Sequence, residues 1–507
     1  MERLGAGWAV VVVVGWTVYA LLLAIHRLFY HPLAKVPGPR LAALTGWYEA
    51  YYELFHSFGG QYTFKIKELH QKYGPIVRIS PGDIHIDDPE FFDSIYTSRE
   101  AFDKPEHLKW RFGSPDALFS TPGHGLHRLR RSSQDQFFAK SRIQRLAPLI
   151  QDVADRMCTR LDCDFAGYRK VLNLNNLFTS YIADVTTQYS FNRDFMYLSD
   201  ENFKSPFVQA IRGFKDIAQP CTQCPWLGQL LSFIPERVAV YLQPAMASVQ
   251  QFQHDMRHLV REAQNDVKEN KSQFADKTIM HGILTSGILE AELTVERLKD
   301  QATGLIGAGI ASAQWTLTIA CYHIIHDRGI WAVLRKELVE VMPDANVAPP
   351  LVQLEKLPYL SACVEEAIRL ACGQMTRSPR VASRPIPYGA YTIPPGTNIS
   401  LDTWHMHHNK HIFPDSFAFK PLRWLGNPTA PSGKPLKHYM VSFGKGTRNC
   451  LGINLARAEI TIGLALLVRR FEFELYETTY DRDVKVVRDV VAPDCHPSSQ
   501  GVRVLVK

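Results

Sequence analysis

Two long runs without a charged side chain stand out in the pattern of hydrophobic and polar positions. Residues 4–25 are mostly aliphatic and aromatic. As a helix, this run would span about 33 Å, enough to cross the hydrocarbon core of a membrane. Residues 301–326 are also uncharged, but they include Thr303, Gln314 and His323, which are costly to expose to lipid. The first run therefore predicts a membrane-spanning helix, and the second predicts a buried central helix.

Shorter patterns divide the remaining chain into many helices and few strands. Short apolar runs at 76–79 and 84–86 predict two strands, and the tail 488–506 predicts two more around a turn at 493–501. Apolar residues recur at helical spacing in further stretches: 62–72, much of 141–300, 359–370 and 451–471. The predicted fold is mostly α-helical with small β-sheets, in the α+β class.

Composition and charge indicate a globular chain and exclude some function classes. The 507 residues are 46% hydrophobic and 21% charged, with a net charge of +7. No long basic run provides a nucleic-acid surface, so we expect no nucleic-acid partner. Nine scattered cysteines are an odd number and indicate a reducing compartment rather than a disulfide framework.

Basic residues follow the first apolar run and are scarce before it. By the positive-inside rule, the short N-terminus lies in the lumen and the rest of the chain in the cytosol. Because no small-residue cleavage site follows, we interpret residues 1–28 as a signal anchor. The prolines of residues 29–40 end the helix and predict a stiff extended hinge.

A single cysteine lies in a glycine-rich stretch, residues 443–452, just before a predicted helix. Free backbone N–H groups at a helix start favour a thiolate at Cys450. The glycines allow a tight turn and the close approach of a flat ligand. Arg448 adds a cation suited to a carboxylate, and Phe443 would shield the sulfur from water.

This stretch fits the pattern F-x-x-G-x-R-x-C-x-G, which resembles the haem-binding signature of the cytochrome P-450 superfamily. The resemblance implies haem b as the cofactor, with the Cys450 thiolate as the axial iron ligand and hence the metal ligand. It also implies that Phe443, Arg448 and Gly452 lie at the cofactor. A lone cysteine is more often a small buried hydrophobe, but five matched positions favour the haem interpretation.

An arginine motif before the middle of the chain has a counterpart in the same superfamily. His127 and Arg131 resemble its W-x-x-x-R, with histidine in place of tryptophan. Residues four apart share a helix face, and the resemblance implies that both bind a haem propionate. We expect Arg128 and Arg130 to form a solvated basic face.

Two later motifs also have counterparts. Glu366 and Arg369 resemble the E-x-x-R motif, and Arg423 resembles the arginine of P-E-R-F/W. The resemblance implies that both arginines pair with a buried Glu366 and hold the haem-binding core. Arg380 is the candidate for the second haem propionate, with Arg377 as the alternative.

The predicted central helix departs from the superfamily pattern. The relatives carry A-G-x-(D/E)-T-(T/S) over the oxygen-binding face, whereas residues 308–313 read AGIASA. Ala311 replaces the acid and Ser312 replaces the threonine. The acid and the alcohol normally deliver protons for oxygen activation, and Ser312 keeps a hydroxyl for this role. Ser312 and Cys450 are therefore the predicted catalytic residues.

The resemblance extends over essentially the whole chain and implies a monooxygenase anchored in the endoplasmic reticulum membrane, with a cytosolic haem domain at 41–507. Electrons would come from NADPH through a separate NADPH-cytochrome reductase, since no flavin or dinucleotide fingerprint is evident. By analogy, the substrate is a small apolar secondary metabolite, a terpenoid or polyketide. Two other functions stay open: a haem-thiolate isomerase or dehydratase without O2 and reductase, suggested by Ala311, and a haem carrier or sensor.

Overall fold

The computed structural model describes residues 2–203, 205–233, 238, 241, 245–269 and 278–507. The chain forms two compact units, neither of them continuous in sequence. The first comprises Met1–Ile95, Phe102–Pro105 and Arg377–Leu401. The second comprises Tyr96–Ala101, Glu106–Thr376 and Asp402–Lys507.

The first unit contains a small mixed sheet, one long helix and several shorter ones. Its helices are Glu2–Ile25, Arg40–Leu44, Trp47–Ala50, Tyr62–Tyr73 and Phe92–Ile95, with π-helical turns at His26–Tyr30 and Tyr51–Phe55. Its sheet has the strands, in spatial order, Ile76–Arg78, Asp83–Ile86, Asn398–Ser400 and Arg380–Val381. Val77 lies opposite His85 in the first, antiparallel pair, and Ile84 lies opposite Ile399 in the parallel pair. A separate hairpin joins Ile386–Tyr388 to Tyr391–Ile393.

The first apolar run forms the helix Glu2–Ile25. Within it and the turn that follows, Val11–Tyr30 is apolar and long enough to cross a membrane, and none of it is buried in the protein. Trp8 and Trp16 are each 70% exposed. Exposed aromatic and aliphatic surface on this scale is unfavourable in water, so the helix is a candidate membrane anchor.

The second unit is mostly helical. Its helices are His124–Ser132, Lys140–Asp164, Leu174–Phe191, Pro206–Gln223, Pro225–Phe233, Ala245–Lys268, Ile279–Leu284, Val295–His326, Arg328–Val341, Leu351–Leu354, Pro358–Ala371, Thr403–His407, Ile453–Arg470 and Tyr480–Asp483. An antiparallel three-stranded sheet has the spatial order Leu172–Asn173, Arg503–Val506 and Phe473–Leu475. Helices therefore dominate and the sheets are small, as the sequence predicted.

Val295–His326, the central helix, lies in the main core of the second unit. It too is apolar enough to span a membrane, but 56% of its apolar window is buried inside the protein. Ile306, Ile310 and Leu317 are completely buried. At its N-terminus, the Thr294 hydroxyl accepts a hydrogen bond from an N–H of the first turn, which caps the helix. The prediction of a core helix rather than a second membrane span is confirmed.

The C-terminal tail differs from its predicted form. The hairpin Arg488–Val490 with Ala492–Asp494 turns at Val491, not at 493–501. Val491 has φ 79°, which is rare for a β-branched residue. Its N–H donates to Asp489 Oδ1 (2.9 Å) and its carbonyl accepts from the Met375 N–H (2.9 Å). These bonds hold the tight turn, which the sequence pattern does not reveal.

Candidate active site

The stretch 443–452, here called the cysteine loop, closes on itself. The N–H of Cys450 donates to the Phe443 carbonyl over 2.7 Å. Gly446 has φ 74°, and a Cβ there would lie 2.5 Å from the Thr97 carbonyl oxygen. Only glycine therefore fits at this position. The helix Ile453–Arg470 begins directly after the loop.

The Cys450 side chain keeps accessible surface, although protein atoms surround it. Burial raises the pKa of its thiol, while the Gly452 N–H and the Arg131 charge act in the opposite direction. The protein alone therefore does not favour the thiolate, contrary to our expectation from the helix start. The desolvation of the sulfur outweighs the donors around it. Cysteine ligands lose their proton when they bind a metal.

Two arginines connect the cysteine loop to its surroundings: Arg131 binds the loop from outside, and Arg448 reaches out from within it. Arg131 donates from Nη1 to the Asn449 carbonyl (2.7 Å) and from Nη2 to Asn449 Oδ1 (2.9 Å). Arg448 donates to the carbonyls of Thr121 (2.8 Å) and Pro122 (2.5 Å). Both cations lie at the cysteine loop. Their binding of a haem propionate stays a prediction.

The helix His124–Ser132 carries Arg131 and also buries a second arginine. Arg130 is only 5% exposed and donates to the Glu292 carboxylate over 2.7 and 3.1 Å. It also donates to Thr121 Oγ1 (2.9 Å), beside the carbonyl that Arg448 binds. The prediction that Arg130 is solvated is wrong, because Glu292 compensates its charge inside the protein. Arg128 is exposed, and His127 is buried.

Glu366 lies at the centre of a dense buried network. Both Glu366 and Arg369 are completely buried, and two hydrogen bonds of 2.8 Å join them. Arg423 donates from Nε (3.0 Å) and Trp424 from its indole N–H (2.9 Å). The Lys420 backbone N–H adds a further donor at 2.9 Å. Burial raises the pKa of Glu366, but the arginines outweigh it and hold the pKa below its ordinary value.

A neighbouring ion pair supports the cysteine loop, and the sequence analysis missed it. Glu365, at 6% exposure, accepts two hydrogen bonds from Arg457 over 2.8 and 3.0 Å. The Arg457 guanidinium lies over the Phe443 ring, 5.5 Å from its centroid. Such a contact is attractive, so the pair positions the ring at the start of the loop. Its sequence signal is an acid beside the E-x-x-R glutamate.

A buried histidine connects the Glu366 network to the segment before the loop. His407 Nδ1 lies 2.9 Å from the Arg369 carbonyl, so it carries the proton and donates. Its Nε2 accepts from the Val441 N–H over 3.0 Å. Burial, with the Arg369 charge, lowers the pKa of His407 to about 3. A neutral imidazole thus bridges the two segments.

The predicted site residues of the central helix lie on an exposed part of its surface. Ala308 and Ser312 are exposed although most of the helix is buried. The Ser312 hydroxyl donates to the Ala308 carbonyl over 2.9 Å. Thr316 Oγ1 donates in the same way to the Ser312 carbonyl (2.9 Å), and Gln314 Nε2 to the Ala311 carbonyl (3.3 Å). Ser312 Oγ thus remains accessible as an acceptor.

The remaining predicted residues belong to the first unit. Arg380 begins the strand Arg380–Val381, and its Nη1 donates to the carbonyl (2.9 Å) and hydroxyl (3.0 Å) of Ser378. Arg377 forms an ion pair with Glu49. The site of the second unit therefore brings together Cys450, Phe443, Arg448, Arg131 and the Glu366 network. The propionate role of Arg380 stays a prediction.

The residues of the cysteine loop fit a haem held by a thiolate. Cys450 offers an accessible thiol as the single protein ligand, and the Gly452 N–H is a donor to its sulfur. Arg131 and Arg448 supply cations suited to carboxylates at the same loop. A cofactor of this type supplies oxygen activation, with electron density donated by the thiolate.

Comparison with known proteins decides the family, because the family model described as cytochrome P-450 matches residues 46–492. The chain belongs to this family. Three fungal relatives cover almost its whole length. The cytochrome P-450 monooxygenase orf4 of Eupenicillium brefeldianum is 40% identical over 496 residues, 96% of each chain. The monooxygenase orf6 of the same organism is 37% identical, over 98% of this chain and 99% of its own. The N-acetyltryptophan 6-hydroxylase ivoC of Emericella nidulans is 35% identical, over 98% and 96%.

These relatives support one of the three functions left open by the sequence. Each of them is named a monooxygenase or a hydroxylase. The protein is thus a haem-thiolate monooxygenase with the cytochrome P-450 fold. The names give no support to an isomerase, a dehydratase or a haem carrier.

Proposed function

We propose that this cytochrome P-450 hydroxylates a small apolar intermediate of secondary metabolism, a terpenoid or a polyketide. The observation that carries the proposal is the likeness of nearly the whole chain to fungal monooxygenases. One relative is named for the hydroxylation of N-acetyltryptophan, so an aromatic amide is the second substrate class to test.

Haem b is bound in this proposal by the cysteine loop, with Cys450 as its ligand. Phe443 shields the sulfur, and Gly452 donates its N–H to it. Arg131 already bonds Asn449 and Asp135, and Arg448 bonds the carbonyls of Thr121 and Pro122. His127, Arg131, Arg380 and Arg448 are the proposed partners of the haem carboxylates.

In this proposal, the Ser312 hydroxyl delivers the proton that oxygen activation requires. Its hydroxyl is accessible and bonds only to a helix carbonyl among the described residues. Because Ala311 carries no acid, the proton reaches Ser312 in this proposal from water, the substrate or another side chain. Electrons come from NADPH through a separate NADPH-cytochrome reductase.

The proposed location is the endoplasmic reticulum membrane. Residues 1–28 form the anchor, residues 29–40 the hinge, and residues 41–507 the cytosolic catalytic domain. The exposed apolar helix at the N-terminus supports this arrangement. Deleting residues 1–30 should move much of the protein into the soluble fraction, and unchanged membrane association would contradict the proposed anchor.

Co-expression with a reductase in a host fed terpenoid, polyketide and N-acyl aromatic precursors tests the activity directly. We expect a product heavier by one oxygen atom, detected by mass spectrometry, that depends on NADPH and takes its oxygen from labelled O2. A product formed without NADPH and reductase, and without added oxygen, would instead establish the isomerase or dehydratase.

A further inference from the structure

The segment 114–122, which precedes the helix His124–Ser132, consists of turns and is largely buried. Ala117 and Thr121 are 2% and 1% exposed. Bonds within the segment satisfy part of its backbone, for example from the Ser120 N–H to the Ala117 carbonyl over 3.1 Å. Buried backbone groups require partners, and side chains from other elements supply several of them. The segment is therefore held in place from outside.

The first turns of the central helix supply two of these side chains. Asp300 Oδ2 accepts a hydrogen bond from the Asp116 N–H over 3.0 Å. Gln301 Oε1 accepts one from the Leu118 N–H, also over 3.0 Å. The Gln301 side chain is itself fixed, because its Nε2 donates to Gln134 Oε1 over 2.9 Å. Both Asp300 and Gln301 are buried, so water cannot easily replace these bonds.

The segment also packs on the central helix beside its exposed surface. A Cβ on Gly304 would lie 3.2 Å from Ala117 Cβ, so the glycine allows a close approach here. Gly304 lies one turn before Ala308, which is exposed together with Ser312. A molecule bound over Ala308 and Ser312 would therefore adjoin the segment.

The other end of the segment is bound to the cysteine loop. Arg448 donates from Nη1 to the Thr121 carbonyl and from Nη2 to the Pro122 carbonyl. Because a guanidinium is planar, two carbonyls on its two terminal nitrogens fix its orientation. The segment thus connects Gln301 of the central helix with the cation that is proposed to bind a haem carboxylate.

We propose that Gln301 is a positioning residue for the haem reaction. It holds Leu118 and thereby the segment whose carbonyls orient Arg448. A buried N–H without its acceptor is unfavourable, so loss of the Gln301 amide loosens the segment and Arg448 with it. A cation near the haem favours reduced iron, so a loosened Arg448 lowers the reduction potential. The inference rests on the proposed haem binding and extends it to a residue of the central helix.

Hydrogen exchange and the reduction potential test the two steps in the haem-loaded full chain. Gln301→Met keeps the length of the side chain but removes its amide. We expect amide exchange of residues 114–122, mapped by mass spectrometry, to become about tenfold faster than in the wild type. The reduction potential, measured by spectroelectrochemical titration, should fall. It should also fall in Arg448→Lys, which keeps the charge but not the planar fork.

Gln134→Met is the matched control. Like Gln301→Met, it breaks the bond between the two amides, but it leaves the acceptor of the Leu118 N–H in place. Exchange and potential should therefore equal the wild-type values. The reduced carbon monoxide spectrum confirms that each variant is folded. If Gln301→Met does not bind haem, Gln301→Asn replaces it with the same expectations, because its shorter side chain withdraws the acceptor from Leu118.

The results distinguish this inference from the proposed function. If Arg448→Lys lowers the potential and the variant at residue 301 leaves either exchange or potential unchanged, the inference is overturned and the proposed role of Arg448 stands. If neither variant lowers the potential, Arg448 does not bind a haem carboxylate, and the inference falls with that part of the proposed function. Equal changes in Gln134→Met and Gln301→Met would also overturn the inference, because the Leu118 bond would not be their cause.

Discussion

The cysteine loop and the stretch 308–313 of the central helix are held in very different ways. The loop depends on partners distant in sequence: Arg131 from the helix His124–Ser132, and Glu365, which pairs with Arg457 just after the loop. In contrast, within the part of the chain that the structure describes, the Ser312 hydroxyl bonds only to the Ala308 carbonyl of its own turn. Substitutions at the loop therefore disturb the tertiary structure, whereas those at the helix surface change chemistry at little cost in stability. This difference explains how Ala311 can replace an acid without loss of the fold.

Glu366→Gln, on the loop side of this comparison, should cause the largest loss of stability. It removes the buried charge that compensates Arg369 and Arg423, so we expect a loss of about 3–5 kcal/mol in the free energy of unfolding. Chemical denaturation measures the loss, and haem content should fall with it. Glu474→Gln, at an exposed position that pairs with Lys507, is the control and should change stability by less than about 0.5 kcal/mol. If both variants were equally stable, the Glu366 charge would not be what stabilises the buried network.

His407, which lies beside the cysteine loop, should make the stability of the protein sensitive to acid. The pKa of His407 is about 3 in the folded protein, against an ordinary value of 6.5, so between these values the unfolded chain binds a proton that the folded protein does not. The contribution of His407 to the free energy of unfolding is therefore fully present above about pH 6.5, and it is lost as the pH drops toward 3. From pH 7 to pH 5 this group alone contributes a loss of about 2 kcal/mol.

Unfolding free energies of the wild type and His407→Gln at several pH values measure this term. The variant should start less stable but lose about 2 kcal/mol less between pH 7 and pH 5. His411→Gln, in an exposed turn, should retain the wild-type slope. The same slope in all three proteins would show that His407 is not neutral in the folded state.

Arg457→Gln should give a moderate effect, since the Arg457 side chain is 31% exposed. We expect a loss of about 1 kcal/mol in stability and a shorter lifetime of the thiolate-type carbon monoxide spectrum, because the Phe443 ring loses its support. Arg457→Lys should restore part of the stability but less of the ring contact. A spectrum as durable as that of the wild type would show that the ring is positioned without Arg457.

Ser312→Ala should have the smallest effect on stability, within about 0.5 kcal/mol. Its effect should instead appear in the coupling of NADPH oxidation to product, with more peroxide released per product by about tenfold. Ser312→Thr, which introduces the threonine of the superfamily pattern, should remain coupled. If peroxide release in the alanine variant equals that of the wild type, Ser312 takes no part in proton delivery.

The sequence predicted the features that depend on local spacing. Glu366 and Arg369 are three residues apart on one helix, and the central helix could be recognised by its polar side chains. The pairs Arg130–Glu292 and Arg457–Glu365 could not be predicted, because 162 and 92 residues separate the partners. Similarly, helical spacing indicates that a stretch such as 47–55 has two faces. The acidic face is buried, and Glu49 on it pairs with Arg377, which lies far along the chain.

The most direct test of the central claim is the spectrum of the reduced, carbon monoxide-treated protein. The wild type should show the red-shifted Soret band of a thiolate-bound haem, and Cys450→Ser should lose it while Cys163→Ser, at an exposed cysteine, keeps it. A Cys450→Ser variant that retains the red-shifted band would contradict the assignment of Cys450 as the haem ligand.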